Sequence, residues 1–206
     1  MSTSFNLTSL TTYYNLANKA VFRAGLGSDI LYRYSSTTHQ YVCLGQYLTG
    51  ISNSPYISGL DYRHPRIHVS WCYRNFIQFP ASTSSEAHKQ QAGPNGPENN
   101  YDLNYAFSED KGETWKSSDG SVLAKVGSKE EKGVETTIKP CADGARVFKI
   151  PMHSGILNQE GQAVDLEGGF WALNREKVEG EQKWIAYYRD VAGRIFPSYC
   201  THCTDS

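Results

Sequence analysis

The chain has 206 residues, enough for one domain with a sizeable core. Its 20 basic and 21 acidic side chains leave a formal net charge of -1, without the basic surplus typical of proteins that bind nucleic acid or anionic membranes. The composition therefore predicts neither partner. The 14 tyrosines favour strands and surfaces that stack on flat ligands such as sugars.

Neither the N-terminus nor the cysteines add a targeting or cofactor signal. Residues 1–22 lack a basic start followed by a long apolar run, so they predict neither a secretory signal nor a membrane span. The five cysteines are scattered and odd in number, which does not indicate a disulfide framework. "CTHC" at 200–203 offers soft metal ligands without a second pair. We predict no metal and no other cofactor.

Apolar residues alternate with period two along most of the chain, which predicts an all-β protein. The predicted strands are 29–35, 40–48, 57–62, 66–74, 101–108, 161–166, 169–175 and 183–190. Only residues 10–21 suggest a helix, and their Thr, Tyr and Asn content makes it a poor one. Residues 80–100 are rich in Pro, Gly, Ser and amides and predict a long surface loop.

Two strand themes recur along the sequence. "SGLDYRHPRIHVSWCYR" and "GQAVDLEGGFWALNR" share a small-residue start, an aspartate, a turn and a strand that ends in arginine. "ILYRY" and "AYYRD" repeat a second strand type. Strand types that alternate every 50-odd residues indicate four-stranded antiparallel blades, as in a β-propeller.

The stretch "SEDKGETW", residues 108–115, matches the Asp-box, or BNR repeat, at each defining position: Ser108, Asp110, Gly112, Thr114 and Trp115. The carboxylate of Asp110 can accept backbone N–H bonds in a tight hairpin, where Gly112 supplies backbone freedom. Trp115 can fold back as an apolar plug, and the Ser108 hydroxyl can bond to the same turn. We therefore interpret this stretch as structural, not as an active site.

The segments 54–74, 99–120 and 150–194 resemble the BNR repeat-containing family of fungal and bacterial proteins. The resemblance covers roughly residues 20 to 194 and implies one propeller domain of four-stranded antiparallel blades. Relatives include secreted polysaccharide lyases that act on uronate-containing glycans, so the resemblance also implies a polysaccharide or oligosaccharide partner and secretion.

The chain departs from the family in length and at its end. The resemblance implies a closed propeller about twice as long, whereas this sequence accounts for about three to four blades, so we expect an incomplete domain spanning residues 1–206. Residues 195–206, "IFPSYCTHCTDS", do not continue the family pattern and are expected to be a non-family tail.

Cleavage of a uronate glycan by β-elimination needs a cation for the carboxylate, a base for the C5 proton and an acid for the leaving oxygen. Arginine suits the carboxylate because its planar fork binds both oxygens. The candidate catalytic residues are Arg74, Tyr101, His153, Arg175, Tyr188 and Arg189. Candidate substrate contacts are Asn100, Asp102, Trp71, Tyr73, Gln159 and Asn174. Each also has an interpretation without a functional role, as a salt-bridge arginine, a core tyrosine or a solvated loop histidine.

Tyr101 marks a further departure, because many relatives have Asn-His-Asp where this chain has Asn100-Tyr101-Asp102. Three hypotheses stay open. The chain is a uronate-polysaccharide lyase whose candidate residues converge in one pocket, a non-catalytic glycan-binding propeller, or an open fragment that uses an exposed sheet edge.

Overall fold

The computed structural model describes residues 10–14, 28–35, 37–51, 53–75, 99–127, 135–156 and 161–199. In these ranges the chain forms strands and no α-helix, which confirms the predicted all-β class. The strands are β1 (Leu10–Tyr14), β2 (Ser28–Ser35), β3 (Gln40–Thr49), β4 (Asn53–Arg63), β5 (Arg66–Asn75), β6 (Asn100–Ser108), β7 (Thr114–Lys116), β8 (Val122–Lys125), β9 (Arg146–Phe148), β10 (Gly161–Val164), β11 (Phe170–Val178), β12 (Glu181–Arg189) and β13 (Ile195–Tyr199).

All eight predicted strands coincide with observed strands. The suspected helix at 10–21 begins instead as β1, because Thr and Tyr favour extended backbone; residues 15–21 lie outside the described ranges. Of the predicted loop at 80–100, only residues 99 and 100 are described. Among the described residues, no helix is long and apolar enough to span a membrane.

The strands form three antiparallel sheets. The first has the order β1-β2-β3, and the second has the order β4-β5-β6-β7-β8, with β9 paired to β6. The third is the meander β10-β11-β12-β13. Its last strand, Ile195–Tyr199, pairs with β12 and lies within the segment that the sequence set apart as a tail.

Two hydrophobic cores hold the second sheet between the other two. The core facing the first sheet contains Leu31, Tyr47 and Trp115. The core facing the third sheet contains Tyr105, Phe170 and others. Since side chains alternate along a strand, β5 and β6 of the second sheet supply residues to both cores.

The two ends of the second sheet are connected differently. β5 and β6 pair antiparallel, with Arg74 opposite Asn100 at one end and Ile67 opposite Ser108 at the other. We call the first the long-loop end, because residues 76–99 link the strands there. The other is the tight-turn end, where residues 64–65 and 109–113 form short turns.

The third sheet has its turns 165–169 and 190–194 at this same tight-turn end. His64 Nε2 lies 3.0 Å from the Asp165 carbonyl oxygen and joins the two sheets there.

Candidate functional site

The polar groups of the turn at residues 108–115 form hydrogen bonds with one another. Asp110 Oδ1 accepts bonds from the Thr114 N–H at 2.7 Å and the Ser108 hydroxyl at 2.8 Å. Ser108 Oγ in turn accepts the Gly112 N–H at 2.9 Å, where a φ of 94° suits glycine. The Trp115 indole donates to the Gly112 carbonyl and is fully buried. This geometry is that of a self-contained hairpin support.

At the long-loop end, Arg74 is held in place by two neighbours. Its Nε donates to Asn100 Oδ1 at 2.8 Å, and its guanidinium carbon lies 4.1 Å from the centre of the Tyr56 ring. Asn100 is fully buried and donates through Nδ2 to the Ile156 carbonyl at 2.9 Å. The buried amide therefore fixes the direction of a partly exposed guanidinium. We call Arg74, Tyr56 and Asn100 the Arg74 cluster.

Tyr101 lies at the same end but projects from the opposite face of the second sheet. Its ring stacks on Tyr73 with 6.1 Å between ring centres, and its hydroxyl oxygen accepts a 2.6 Å bond from Asn53 Nδ2. Burial raises the pKa of Tyr101, which outweighs the lowering by that bond. The hydroxyl is therefore neutral near pH 7.

Asp102 and the segment 151–156 close this end of the sheet. Asp102 has a φ of 54°; its Oδ1 accepts the Ile150 N–H at 3.0 Å, and its Oδ2 lies 3.4 Å from Arg146 Nη1. Both carboxylate oxygens thus contact protein groups. The next segment carries exposed His153 between Met152, whose sulfur contacts Asn75 at 3.3 Å, and Ile156, which bonds Asn100. His153 therefore lies near the Arg74 cluster.

The other catalytic candidates lie elsewhere. Arg175 follows Trp171 and Leu173 on the outer face of the third sheet, where its guanidinium carbon is 5.3 Å from the Trp184 ring centre. Tyr188 also faces outward and stacks on Trp171 at 4.1 Å. Arg189 is buried at the tight-turn end. The structure does not bring these three side chains together with Arg74, because strand register separates them by face or by end.

Four substrate-contact candidates do not fit that role or cannot be placed. Trp71 and Tyr73 are 0% and 2% exposed in the core between the first and second sheets, since alternation turns them inward. Asn174 is likewise buried, on the face of β11 opposite Arg175. Gln159 lies outside the described residues.

Two residues that position these side chains were missing from the sequence-based candidates: Tyr56 and Asn53. Ser54 is the strand partner of Arg74, and Tyr56 is two residues further along β4, hence on the same face. Pairing counted from the turn at residues 64–65 would have placed Tyr56 on the other face, because a register shift between Ile57 and Gly59 moves the partner of Arg74 by one residue. Asn53 had no local signal either, because its contact with Tyr101 spans 48 residues.

Metal ligands are not grouped in the described ranges: there, no cluster of three or more His, Cys, Asp or Glu side chains could hold an ion. The Cys200 and Cys203 pair lies outside those ranges.

Comparison with known proteins identifies a family match over most of the chain. Residues 19–200 match the family described as BNR repeat-containing family member. No curated protein matches the chain.

Solved structures of polysaccharide lyases share the fold. The crystal structure of polysaccharide lyase Uly1 aligns with a TM-score of 0.52 at 16% identity, covering 85% of this chain and 36% of that one. The PL25 ulvan lyase bound to GlcA(1-4)Rha3S aligns with a TM-score of 0.52 at 11% identity, covering 83% and 37%. This chain therefore spans just over a third of the length of these proteins.

Proposed function

Because the chain belongs to the BNR repeat-containing family, we propose that it is a carbohydrate-active propeller protein that cleaves uronate-containing polysaccharides by β-elimination. The observation that carries the proposal is the fixed guanidinium of Arg74, held between Asn100 and the Tyr56 ring. The likeness in fold to lyases, one of them bound to a glucuronate-containing glycan, supports it.

The propeller arrangement is part of the proposal. The third sheet is a four-stranded meander, and β4 to β7 form another within the second sheet. Each meander would be one blade, with β4 and β10 as neighbouring inner strands. The turn at 108–115 would be an Asp-box that joins the last two strands of its blade, opposite the end that carries Arg74.

In the proposed reaction, Arg74 binds the uronate carboxylate and stabilises the negative charge that develops when C5 loses its proton. The electron pair of the C5–H bond forms the C4–C5 double bond as the C4–O bond breaks. The leaving oxygen then takes a proton from an acid. Charge and atoms balance with one base and one acid, and no oxidant is needed.

We propose Tyr101 and His153 for the two proton transfers. Since burial raises the pKa of Tyr101, its hydroxyl keeps its proton and is proposed as the acid. His153, exposed on the segment beside the Arg74 cluster, is then proposed as the base, a role that imidazole groups commonly have in enzymes.

The test measures ultraviolet absorbance of unsaturated uronate products across a panel of uronate polysaccharides. It uses this chain and a version extended by the downstream coding sequence. Arg74→Ala should lower kcat/KM at least about 100-fold, as expected for loss of a preorganised donor to developing charge. Arg33→Ala is the control, because the ion pair that Arg33 makes among the described residues is an exposed one, at 3.5 Å from Glu113. Equal activity of the Arg74→Ala variant and the parent would contradict the proposal.

A non-catalytic glycan-binding propeller is the second candidate. The raised pKa of Tyr101 favours it, because the tyrosine that replaces the family histidine cannot readily take a proton. Saturable polysaccharide binding that Arg74→Ala weakens, together with no unsaturated product from either chain, would establish this alternative over the lyase.

A further inference from the structure

A cavity lies at the tight-turn end, opposite the Arg74 cluster. It has a volume of about 690 Å³ and opens between the turns of the second and third sheets. Its lining includes Arg66, His68, Tyr105, Glu167 and Arg189. Sites for small ligands usually have volumes of roughly 300–1,000 Å³, so this cavity can hold one or two sugar units.

Arg189 is a buried cation without an acidic partner among the described residues. It is 4% exposed, its Nη1 donates to the Asp190 carbonyl at 3.3 Å, and its Nε makes no hydrogen bond there. The neighbouring carboxylate of Asp190 is occupied by Arg194, with 2.6 Å between Oδ2 and Nε. Since an uncompensated buried charge is costly, the site favours an incoming anion.

The wall beside Arg189 supplies no counter-charge. The guanidinium carbon lies 4.5 Å from the centre of the Tyr105 ring, and Tyr105 Oη is 2.6 Å from His68 Nδ1. His68 Nε2 faces the Arg63 carbonyl at 3.0 Å and must donate, so Nδ1 accepts the tyrosine proton. Burial raises the pKa of Tyr105 to about 12 and lowers that of His68. Both groups are therefore neutral near pH 7.

The mouth of the cavity selects among anions. Glu109 is neutralised by Arg66 at 2.7 Å and by Lys116 at 2.8 Å. Glu167 and Asp119 remain at the rim as acidic acceptors. They repel ligands with several negative charges, but they can accept hydrogen bonds from hydroxyl groups.

We propose that this cavity binds a sugar with a single carboxylate, whose oxygens pair with Arg189 while its hydroxyls contact the rim. The site is separate from the proposed lyase centre, because strand register places Arg189 and Arg74 at opposite ends of the sheets. It would hold an acidic sugar whether or not the chain cleaves one.

The experiment titrates the chain with sodium D-glucuronate by calorimetry, with glucose and sodium sulfate as comparison ligands. Glucuronate should bind at least tenfold more tightly than either, and Arg189→Gln should weaken it at least tenfold. Val191→Trp, a change at an exposed residue of the mouth, should weaken binding similarly while Arg189 is retained. Thermal unfolding checks that each variant is folded.

Arg74→Ala removes the carboxylate ligand of the proposed lyase site, so the glucuronate binding that persists in this variant should be the binding that Arg189→Gln and Val191→Trp weaken. Three results would overturn the proposal: loss of binding in Arg74→Ala with retention in Arg189→Gln and Val191→Trp, sulfate binding as tight as glucuronate, or no glucuronate binding by the folded parent.

Discussion

The two ends of the sheets are held by hydrogen bonds of different sequence separation, local at the tight-turn end and long-range at the long-loop end. At the tight-turn end, three aspartates each accept the backbone N–H of the residue four positions later. The pairs are Asp110–Thr114 at 2.7 Å, Asp165–Gly169 at 2.6 Å and Asp190–Arg194 at 2.8 Å. At the long-loop end, Arg74 bonds a residue 26 positions away, and Asn100 one 56 positions away.

This difference supports our choice of the long-loop end for the proposed lyase chemistry. Turns that satisfy their own donors and acceptors hold their shape without help, so they serve as supports. The Arg74 cluster depends on three separate segments, and its side chains are positioned by partners that only the folded chain supplies. Functional groups are commonly positioned in this way by neighbouring groups on a rigid scaffold.

The largest change in stability is expected for one of two tryptophans that both lie beside Asp turns. Trp115→Ala should reduce the free energy of unfolding by roughly 3–5 kcal/mol, since it empties a fully buried site that stacks on Tyr47. Trp171→Ala is the matched control: this side chain is 39% exposed and bonds Asp165 Oδ2, so the expected loss is about 1 kcal/mol. Urea denaturation measures both. Equal losses would show that the turn motif, not burial, determines the effect.

The next test contrasts two kinds of carboxylate through pH. Asp29 is fully buried with one hydroxyl donor, Tyr47 at 2.8 Å, and burial raises its pKa from 3.8 to about 7. Between these values the folded state keeps a proton that the unfolded state has lost, so stability falls as pH rises from about 4 to about 7. The linked free energy is at most about 4 kcal/mol.

Asp29→Asn should remove this slope and make the chain more stable than the parent at pH 8. Near pH 3 the two proteins should differ little, because this pH is below the unfolded-state pKa of 3.8 and Asp29 is then mostly protonated in both states of the parent. Thermal unfolding followed by circular dichroism across this range measures the effect. Parallel pH profiles for the two proteins would contradict it.

The long-loop end is tested by Asn100→Ala. Removing this buried amide leaves the Ile156 carbonyl and the Arg74 Nε without this partner, and should cost about 2 kcal/mol. Asn75→Ala is the control, because the contact of this half-buried amide with the Met152 sulfur should be worth only about 0.5 kcal/mol. Similar losses in denaturant titrations of the two variants would mean that Asn100 does not organise this end.

The smallest effect is expected for Asp110→Ala, about 1 kcal/mol, comparable to loss of a helix cap. Desolvation raises the pKa of Asp110, but the bonds from Thr114 and Ser108 outweigh it and lower the pKa overall. Its contribution is therefore present above the usual aspartate pKa near 4 and is lost as pH falls through the folded value. A difference between the variant and the parent that does not shrink as pH falls below about 4 would contradict this assignment.

Strand prediction succeeded where alternation runs for six or more residues and failed for shorter segments. β7 and β9 have three residues each, too few to show a period. β9 is held by pairing with β6, about 40 positions earlier in the chain. Such a strand is specified by its partner, and the partner is not visible in a local window of sequence.

The same limit applies to the candidate site, because contacts between distant segments are not visible in a local window of sequence. Asn100, Tyr101 and Asp102 adjoin along β6, and the structure places His153 and Arg74 near them. Arg175 and Arg189 had the same local signature as Arg74, an arginine beside aromatics near a strand end. In the structure these arginines lie on a different sheet face or at a different sheet end from Arg74. Alternation within one strand does not reveal which face of that strand packs against which neighbouring sheet.

By itself, the sequence determined the all-β class, the course of eight strands and the geometry of the turn at Asp110. These depend on interactions between residues only two to four positions apart. The tertiary structure alone decided that Arg74 rests on Asn100 and Tyr56, that Trp71 is core, and that Arg189 is buried beside a cavity. Those outcomes depend on sheet register and on packing between sheets, where contacts join residues far apart in the chain.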